Sequence, residues 1–583
     1  MTSPASRRGL RRPGRTAGSA NLVAALGVLV VLLPLLLNAA ASAPPSAAEF
    51  SPNAQKVIKK APDGQAAEVN GTGEGTAPGG AGSGGGGGKG PSPTPKASPA
   101  VQQVEVPANQ VKRCVGPPPL RQIDDPQSPP CIAFYQGDNG GATAKGVTRD
   151  SIYIAVPTPE SSETQYAALA KFFNDRFQFY GRKIVLQFCG NGGGAAAEAD
   201  QVADAAEAAA GCGNNIPPFA STFYRQNNGA YYMPAMGCRH KTIVVGSYSP
   251  YDKKFLERCA PYQYQYPMEV DEEFANIGEW ICNRLAAKPA RYADGNDGST
   301  PGKPMNTLPR KFGIMLAPFT SVDPVARIDA LDPMRSRLRA CNADVPTSRV
   351  IINPVTGLFD PSSAQNAVLQ MKNAGVTSVI CMCNFFSFGS LQRGADASAY
   401  QPEWITSTFG LNDINSSFIL GAGPPGQMQN TFGITFHPRL VKPLLNPYNR
   451  AVQEGDPSVA PDTATTGEAK LEVYRALLLL ASGIQMAGPR LTVESFRDGL
   501  RRTRFPNPFH ETLAGAVDVR PAGYSLTADA AEWYFDNDAR GPFTDSGAKS
   551  GTVCYIDGGK RRTLGNWPRG DVPFFTGTCD SGA

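Results

Sequence analysis

From Gly146 onward, short apolar runs alternate with segments whose apolar residues recur every three or four positions, in two successive series. Ser151–Val156 (SIYIAV) reads as a buried strand. Behind it, Tyr166, Leu169, Ala170, Phe173, Phe177 and Tyr180 share one helical face. Gly181 stands where a glycine ending that helix belongs. Lys183–Phe188 is the next strand, and an alanine-rich helix follows near Ala195–Ala210. Thr242–Gly246 (TIVVG) is a third strand. After Asp271 a helix carries Phe274, Ile277, Ile281 and Leu285 on one stripe. The segment Pro218–Cys238 fits neither period.

The second series opens with the strand Lys311–Leu316. Asp323-Pro324 has the form of an N-cap followed by proline at the first helical position, and Pro333 is expected to end or kink that helix. Arg349–Ile352 is a strand, and Asp360-Pro361 opens a helix closed by Gly375. Thr377–Cys383 is apolar and β-branched, as parallel strands covered on both faces are. Phe385, Phe386 and Phe388 begin another helix, and Glu403–Ser407 is a strand. Later, a helix from about Thr466 to Ala487 has Val473, Leu477, Leu480 and Ile484 as its stripe and Gly488 at its end. Thr492 then caps a helix with Glu494 in its first turn, favourable against the helix dipole. Cys554–Cys579 reads as a closing strand and loop.

Such alternation implies an α/β chain with parallel sheets wound by helices on both faces. At 583 residues the chain exceeds the roughly 250–300 residues one core sustains. Two series and a C-terminal return predict two doubly wound lobes joined by a hinge. Residues 111–270 and 440–500 are assigned to lobe one; 271–439 and 501–583 form lobe two and the closing strands. Ligands of open α/β sheets bind beyond the carboxyl ends of the strands, beside helix N-termini. Between two such lobes that position becomes a cleft that closes by hinge motion.

The N-terminal part has a different composition. Arg7, Arg8, Arg11, Arg12 and Arg15 precede an apolar run from Leu22 to Leu37 and the small residues Ala41-Ser42-Ala43, the pattern of an export signal over residues 1–43. With its alanines the run approaches the roughly 20 residues that span a bilayer, so an uncleaved anchor is the alternative. No cysteine precedes Cys114 to carry a lipid anchor. Residues 44–110 read as a disordered linker: twelve of the twenty residues from Gly71 to Gly90 are glycine. As a flexible coil its 67 residues span about 45 Å, a tether or a plain spacer.

Export decides how the cysteines are read. Twelve cysteines, an even number, in an oxidising compartment point to disulfides, and three histidines are too few for the usual zinc sites. Favoured pairs are Cys114–Cys131, Cys189–Cys212, Cys238–Cys259, Cys282–Cys341 and Cys554–Cys579. Elimination leaves Cys381 with Cys383. Alternate residues of a strand hold their Cβ atoms farther apart than the roughly 3.5–4.5 Å of a disulfide. Either that strand turns sharply or another pair differs.

Several stretches together resemble type I periplasmic solute-binding proteins of the branched-chain amino acid class, particularly actinobacterial relatives. They are Gly146–Ile152 (GVTRDSI), Tyr180–Ile184 (YGRKI), Phe255–Tyr266 (FLERCAPYQYQY), Gly375–Ile380 (GVTSVI) and Leu491–Phe496 (LTVESF). The resemblance covers about residues 146–560. It implies two Rossmann-like lobes, a hinge of crossover strands, no catalysis, no cofactor, and capture of a small amino acid-like ligand for an ABC uptake permease. By the same resemblance, Ser221 and Thr222 would meet a ligand carboxylate in lobe one. Tyr266, Asn384, Phe385 and Phe409 would wall lobe two, and Asp413 would receive an ammonium. The chain departs from the family in its long linker, its cysteine count and the segment Pro218–Cys238. A tethered sensor or interaction module uses the same fold.

Other function classes find little support. Net charge is only +5, carried largely by the first fifteen residues, so no face is basic enough for nucleic acid. No G-x-S-x-G elbow, H-E-x-x-H or P-loop occurs, so no catalytic or metal residue is assigned. Membrane contact is expected only through the N-terminal segment.

Overall fold

A computed structural model describes residues 114–581 apart from 117–119, 158–161, 191–196, 223–228, 247–249, 296–303, 320–322, 356–359, 414–422, 463–466, 503–522, 542–549 and 576–577. The export segment and linker expected at 1–110 lie outside the described residues. Among the described residues no helix is long and apolar enough to cross a membrane.

The first sheet holds β1 (Ser151–Pro157), β2 (Lys183–Cys189), β3 (Ala220–Ser221), β4 (Ile243–Val245) and β5 (Gln263–Tyr264), in the order β2-β1-β3-β4-β5. All its pairings are parallel. Its connections carry α1 (Glu163–Arg176), α2 (Glu198–Ala210), α3 (Tyr232–Pro234), which runs into a π-turn at Ala235–Arg239, and α4 (Lys253–Glu257). Gly181 does not end α1. That helix stops at Arg176, with Phe177 extended, and Gly181 lies in the turn into β2 with φ +84°.

After α5 (Val270–Arg284) the second sheet is built from β6 (Phe312–Ala317), α6 (Asp332–Ala340), β7 (Val350–Ile352), α7 (Pro361–Asn373), β8 (Ser378–Cys383), α8 (Phe385–Ala397), β9 (Glu403–Thr406), α9 (Pro425–Met428) and β10 (Thr431–Thr435). Asp360 caps α7 by accepting from the amides of Ser362 and Ser363, both at 3.1 Å. Asp323-Pro324 opens no helix. Pro333 starts α6 rather than ending it, because the first helical turn needs no amide from that position.

The chain then returns through α10 (Pro447–Gly455), α11 (Gly467–Ala487) and α12 (Val493–Arg502) before β11 (Asp529–Asp536), β12 (Thr552–Tyr555) and β13 (Arg562–Thr563). Strands β7, β6, β8, β9 and β10 run parallel, whereas β11 and β12 extend that sheet antiparallel and β13 pairs with β11. The second sheet is therefore mixed.

The core divides in the same way. One apolar cluster draws on residues from Ile123 to Tyr266, from Tyr448 to Leu500, and on Tyr524 and Leu526. The second lobe packs clusters on the two faces of its sheet, from Met268 to Phe436 and from Ala530 to Phe574, with Leu440 among them. The chain thus passes between lobes near 266–268, 440–448 and 526–530. Two of these crossovers run side by side, with Gln265 bridged in parallel to Ser525.

The structure joins all twelve cysteines in six pairs, those favoured above plus Cys381–Cys383. The Cα atoms of Cys381 and Cys383 are 5.1 Å apart, within the usual disulfide range of about 4.4–6.8 Å.

Candidate ligand site at the lobe junction

Ser221 ends β3 at its carboxyl end and is buried. Its hydroxyl donates to the Thr222 carbonyl at 2.9 Å and lies 2.8 Å from Tyr232 Oη. One hydroxyl proton cannot serve both contacts, so Tyr232 is the donor to Ser221. Burial raises the Tyr232 phenol above its usual range, which keeps that proton in place. The Thr222 amide continues the ladder to the Ala155 carbonyl at 3.0 Å.

In lobe two the tips of β8 and β9 sit against each other. Asn384 caps α8, accepting from the Ser387 amide at 3.0 Å and donating to the Ala317 and Pro318 carbonyls at 3.1 and 2.8 Å. It therefore ties the tip of β8 to that of β6. Phe385 is half-buried, its ring 5.7 Å from Phe319 and 4.1 Å from Phe386. Asn412 donates to the Cys383 carbonyl at 2.7 Å and to Thr406 Oγ1 at 3.0 Å. Gly410 is required there, since a Cβ would stand 1.7 Å from the Cys383 oxygen. Phe409 is buried beside Phe274, with ring centroids 5.5 Å apart.

Two carboxyl groups lie beneath these tips. Asp413 accepts from Thr408 Oγ1 at 2.7 Å and from Thr435 Oγ1, and His437 Nδ1 lies 3.4 Å away. Burial alone would raise its pKa; the imidazole of His437 and the two threonine hydroxyls outweigh it and hold the carboxyl below the usual range. Both threonine hydroxyls bond Oδ2, whereas Oδ1, the oxygen nearest His437, is buried with no hydrogen-bond donor among the described residues. Glu273 of α5 accepts from Ser407 Oγ at 2.5 Å and the Phe409 amide at 2.9 Å. Burial pushes its pKa up to about 8, with Asp413 adding to the rise. Glu273 is therefore largely protonated at neutral pH.

The lobes meet at two places. The loop after β6 brings Arg327 onto Asp252, the residue that caps α4 beyond the tip of β4. Close by, a cavity of about 330 Å³ is lined by Glu198, Val202, Tyr231, Phe255 and Arg258 of lobe one and by Pro324 of lobe two. At the crossover, Tyr266 is buried, with the Arg475 guanidinium of α11 over its ring at 5.8 Å.

The structure thus places Ser221 and Thr222 on a lobe-one strand tip, Tyr266 at the crossover, and Asn384, Phe385, Phe409 and Asp413 on adjoining lobe-two tips. The sequence reading missed Glu273, Tyr232 and Arg475. Tyr232 lies in the segment that fits neither period. Glu273 and Arg475 sit on helices, where a charged residue reads as solvent-facing. Among the described residues no cluster of histidine, cysteine or carboxylate suits a metal ion.

No family model matches the chain, and no curated protein matches it. In structure the chain is similar to a solute-binding protein of an ABC transporter from Rhodopseudomonas palustris HaA2 in complex with p-hydroxybenzoic acid, at 11% identity and a TM-score of 0.46 over 71% of this chain and 98% of that one. It is also similar to a solute-binding protein of an ABC transporter from Rhodopseudomonas palustris BisB5 in complex with 3,4-dihydroxybenzoic acid, at 12% identity and a TM-score of 0.43 over 72% and 96%. A third is an ABC transporter substrate-binding protein from Desulfitobacterium hafniense, at 13% identity and a TM-score of 0.41 over 70% and 99%.

Proposed function

We propose that this chain is a non-catalytic, extracytoplasmic capture protein that closes two hinged lobes around a small polar, amino acid-like solute and hands it to an ABC uptake permease. The observation that carries this reading is the Asp252–Arg327 contact. It joins the loop beyond β4 in one lobe to the loop beyond β6 in the other, so the carboxyl ends of the two sheets face a common junction. Parallel sheets bind their ligands at those ends, and three crossovers leave the lobes free to hinge. The export-type N-terminus and long linker fit a protein held outside the membrane.

A second reading, a tethered surface sensor or interaction module without transport, is favoured by the internal satisfaction of Ser221 and Asn384. Ligand-dependent melting separates the two. At a hundred times its dissociation constant, a captured solute adds about 2.7 kcal/mol of stability. The capture reading expects such a shift within a panel of amino acids, amides, short peptides and aromatic acids. A flat response across the panel favours the module.

A further inference from the structure

Five arginines are buried as whole residues among the described residues, and four of them meet at least one carboxylate or carbonyl. Arg284 forks onto Glu532 at 2.7 and 2.8 Å. Arg561 meets Asp529 at 2.9 Å and the Phe436 and His437 carbonyls at 2.8 and 2.6 Å. Arg182 is ringed by the carbonyls of Asn139, Gly141, Thr148 and Pro489 at 2.7–2.9 Å. Arg121 meets Asp124 at 3.2 Å through Nη2 only, its Nε and Nη1 being buried without a partner among the described residues.

Arg475 alone of the five meets no carboxylate or carbonyl among the described residues. It is 4% exposed, its Nη2 is fully buried, and that nitrogen has no hydrogen-bond partner among the described residues. The carboxylates whose charge reaches it are Asp125 and Glu472. Asp125 already accepts from the Gln127 amide and from Tyr474 Oη, both at 2.8 Å. A buried guanidinium is stable when a carboxylate or several carbonyls fill its fork, and costly when nothing does.

Its position gives the exception meaning. Arg475 projects from a lobe-one helix, lies over the ring of Tyr266 where the chain crosses to lobe two, and feels the positive charge of Arg561. Arg561 in turn holds the carbonyls of Phe436 and His437 just beyond the tip of β10, next to Asp413. The unpaired Nη2 therefore sits where the lobes come together, with Arg561 across the junction and the charges of Asp125 and Glu472 on its own side.

We propose that Arg475, seated on Tyr266, anchors a buried anion site at the hinge that takes one carboxylate or inorganic anion. The site deepens the capture reading, on which it rests, by requiring that closure be completed by negative charge. The planar fork matches two oxygens of one carboxylate. The ring beneath occupies the face of the guanidinium and leaves its edge for pairing.

The test uses the full chain in low-salt buffer, as wild type, Arg475→Met and Arg475→Lys. Melting is followed against chloride, phosphate, acetate, benzoate and L-leucine, with acetamide and benzamide as neutral counterparts, and scattering reports the overall size. The site predicts that at least one anion stabilises the wild type while its amide does not. Arg475→Met should bind that anion about tenfold more weakly or worse, and Arg475→Lys should fall between. A response confined to chloride or phosphate assigns the site to a free ion; one confined to carboxylates assigns it to the solute. Arg475→Met should melt no lower than wild type without anion, since it loses an unpaired charge; should it not fold, the lysine variant and the amide comparison decide. The site is overturned if no anion stabilises the wild type more than the variants. Neutral solutes that stabilise and compact all three proteins alike would leave capture standing without it. An Arg475-dependent anion effect with no change in size would keep the site and sink capture.

Discussion

Arg327 of the second lobe donates to Asp252 of the first, and the same carboxylate caps α4 by accepting from the Phe255 amide at 2.8 Å. Asparagine keeps a cap but not a charge. Asp252→Asn should therefore cost about 1–2 kcal/mol, a charged hydrogen bond discounted for the partial exposure of Arg327. A double-mutant cycle with Arg327→Gln, read from urea unfolding, should show the two changes to be coupled. Additive losses would mean that the pair does not join the lobes.

Glu273 makes stability depend on pH in a defined direction. Folding raises its pKa from 4.5 to about 8, so between those values the folded chain binds more protons than the unfolded one. The stabilisation is complete below the lower value and is lost as pH rises through the upper one, at up to about 1.4 kcal/mol per pH unit. Glu273→Gln keeps the neutral shape and should flatten this slope. Urea unfolding across the window checks it; equal slopes in both proteins would contradict a buried, protonated Glu273.

Arg310 forks onto Glu403 of β9 with both contacts at 2.7 Å, and the two side chains are 1% and 0% exposed. Ser378 Oγ donates to the same carboxylate at 2.5 Å. Removing one partner strands a buried charge, so Glu403→Gln should cost about 3–5 kcal/mol. Replacing both residues by apolar ones should cost less than either single change, as thermal melting of the three variants would reveal.

The cysteine pairs should differ in worth. Cys282–Cys341 closes a separation of 59 residues and Cys381–Cys383 one of 2. Chain entropy then assigns about 4 kcal/mol to the former and about 1–2 kcal/mol to the latter. Paired serine substitutions measure both, and thiol titration of the unfolded, unreduced chain should find no free thiol.

Much of the fold was legible because its signals are local. The buried run Thr377–Cys383, the Asp360-Pro361 cap and the Thr492 cap, which accepts from the Ser495 amide at 3.1 Å, depend on neighbours a few residues away. What was illegible depends on distant partners. Strand β11 carries Glu532 mid-run, which reads as solvent-facing until Arg284 and Trp280, some 250 residues earlier, are seen to hold its carboxylate. Pro333 reads as a breaker until the short 3-10 turn Ile328–Leu331 before it is known. At the site, the resemblance pointed to Asn384 and Asp413, which lie just after β8 and β9. It could not tell that the amide ties two strands and that the carboxylate lies among Thr408, Thr435 and His437.

The central claim is that two lobes close on a small solute, and small-angle scattering of residues 111–583 tests it most directly. The solute giving the largest melting shift should reduce the radius of gyration in a saturable way, with a midpoint equal to that of the stability shift. A radius unchanged at saturating solute, with the melting shift intact, would contradict closure.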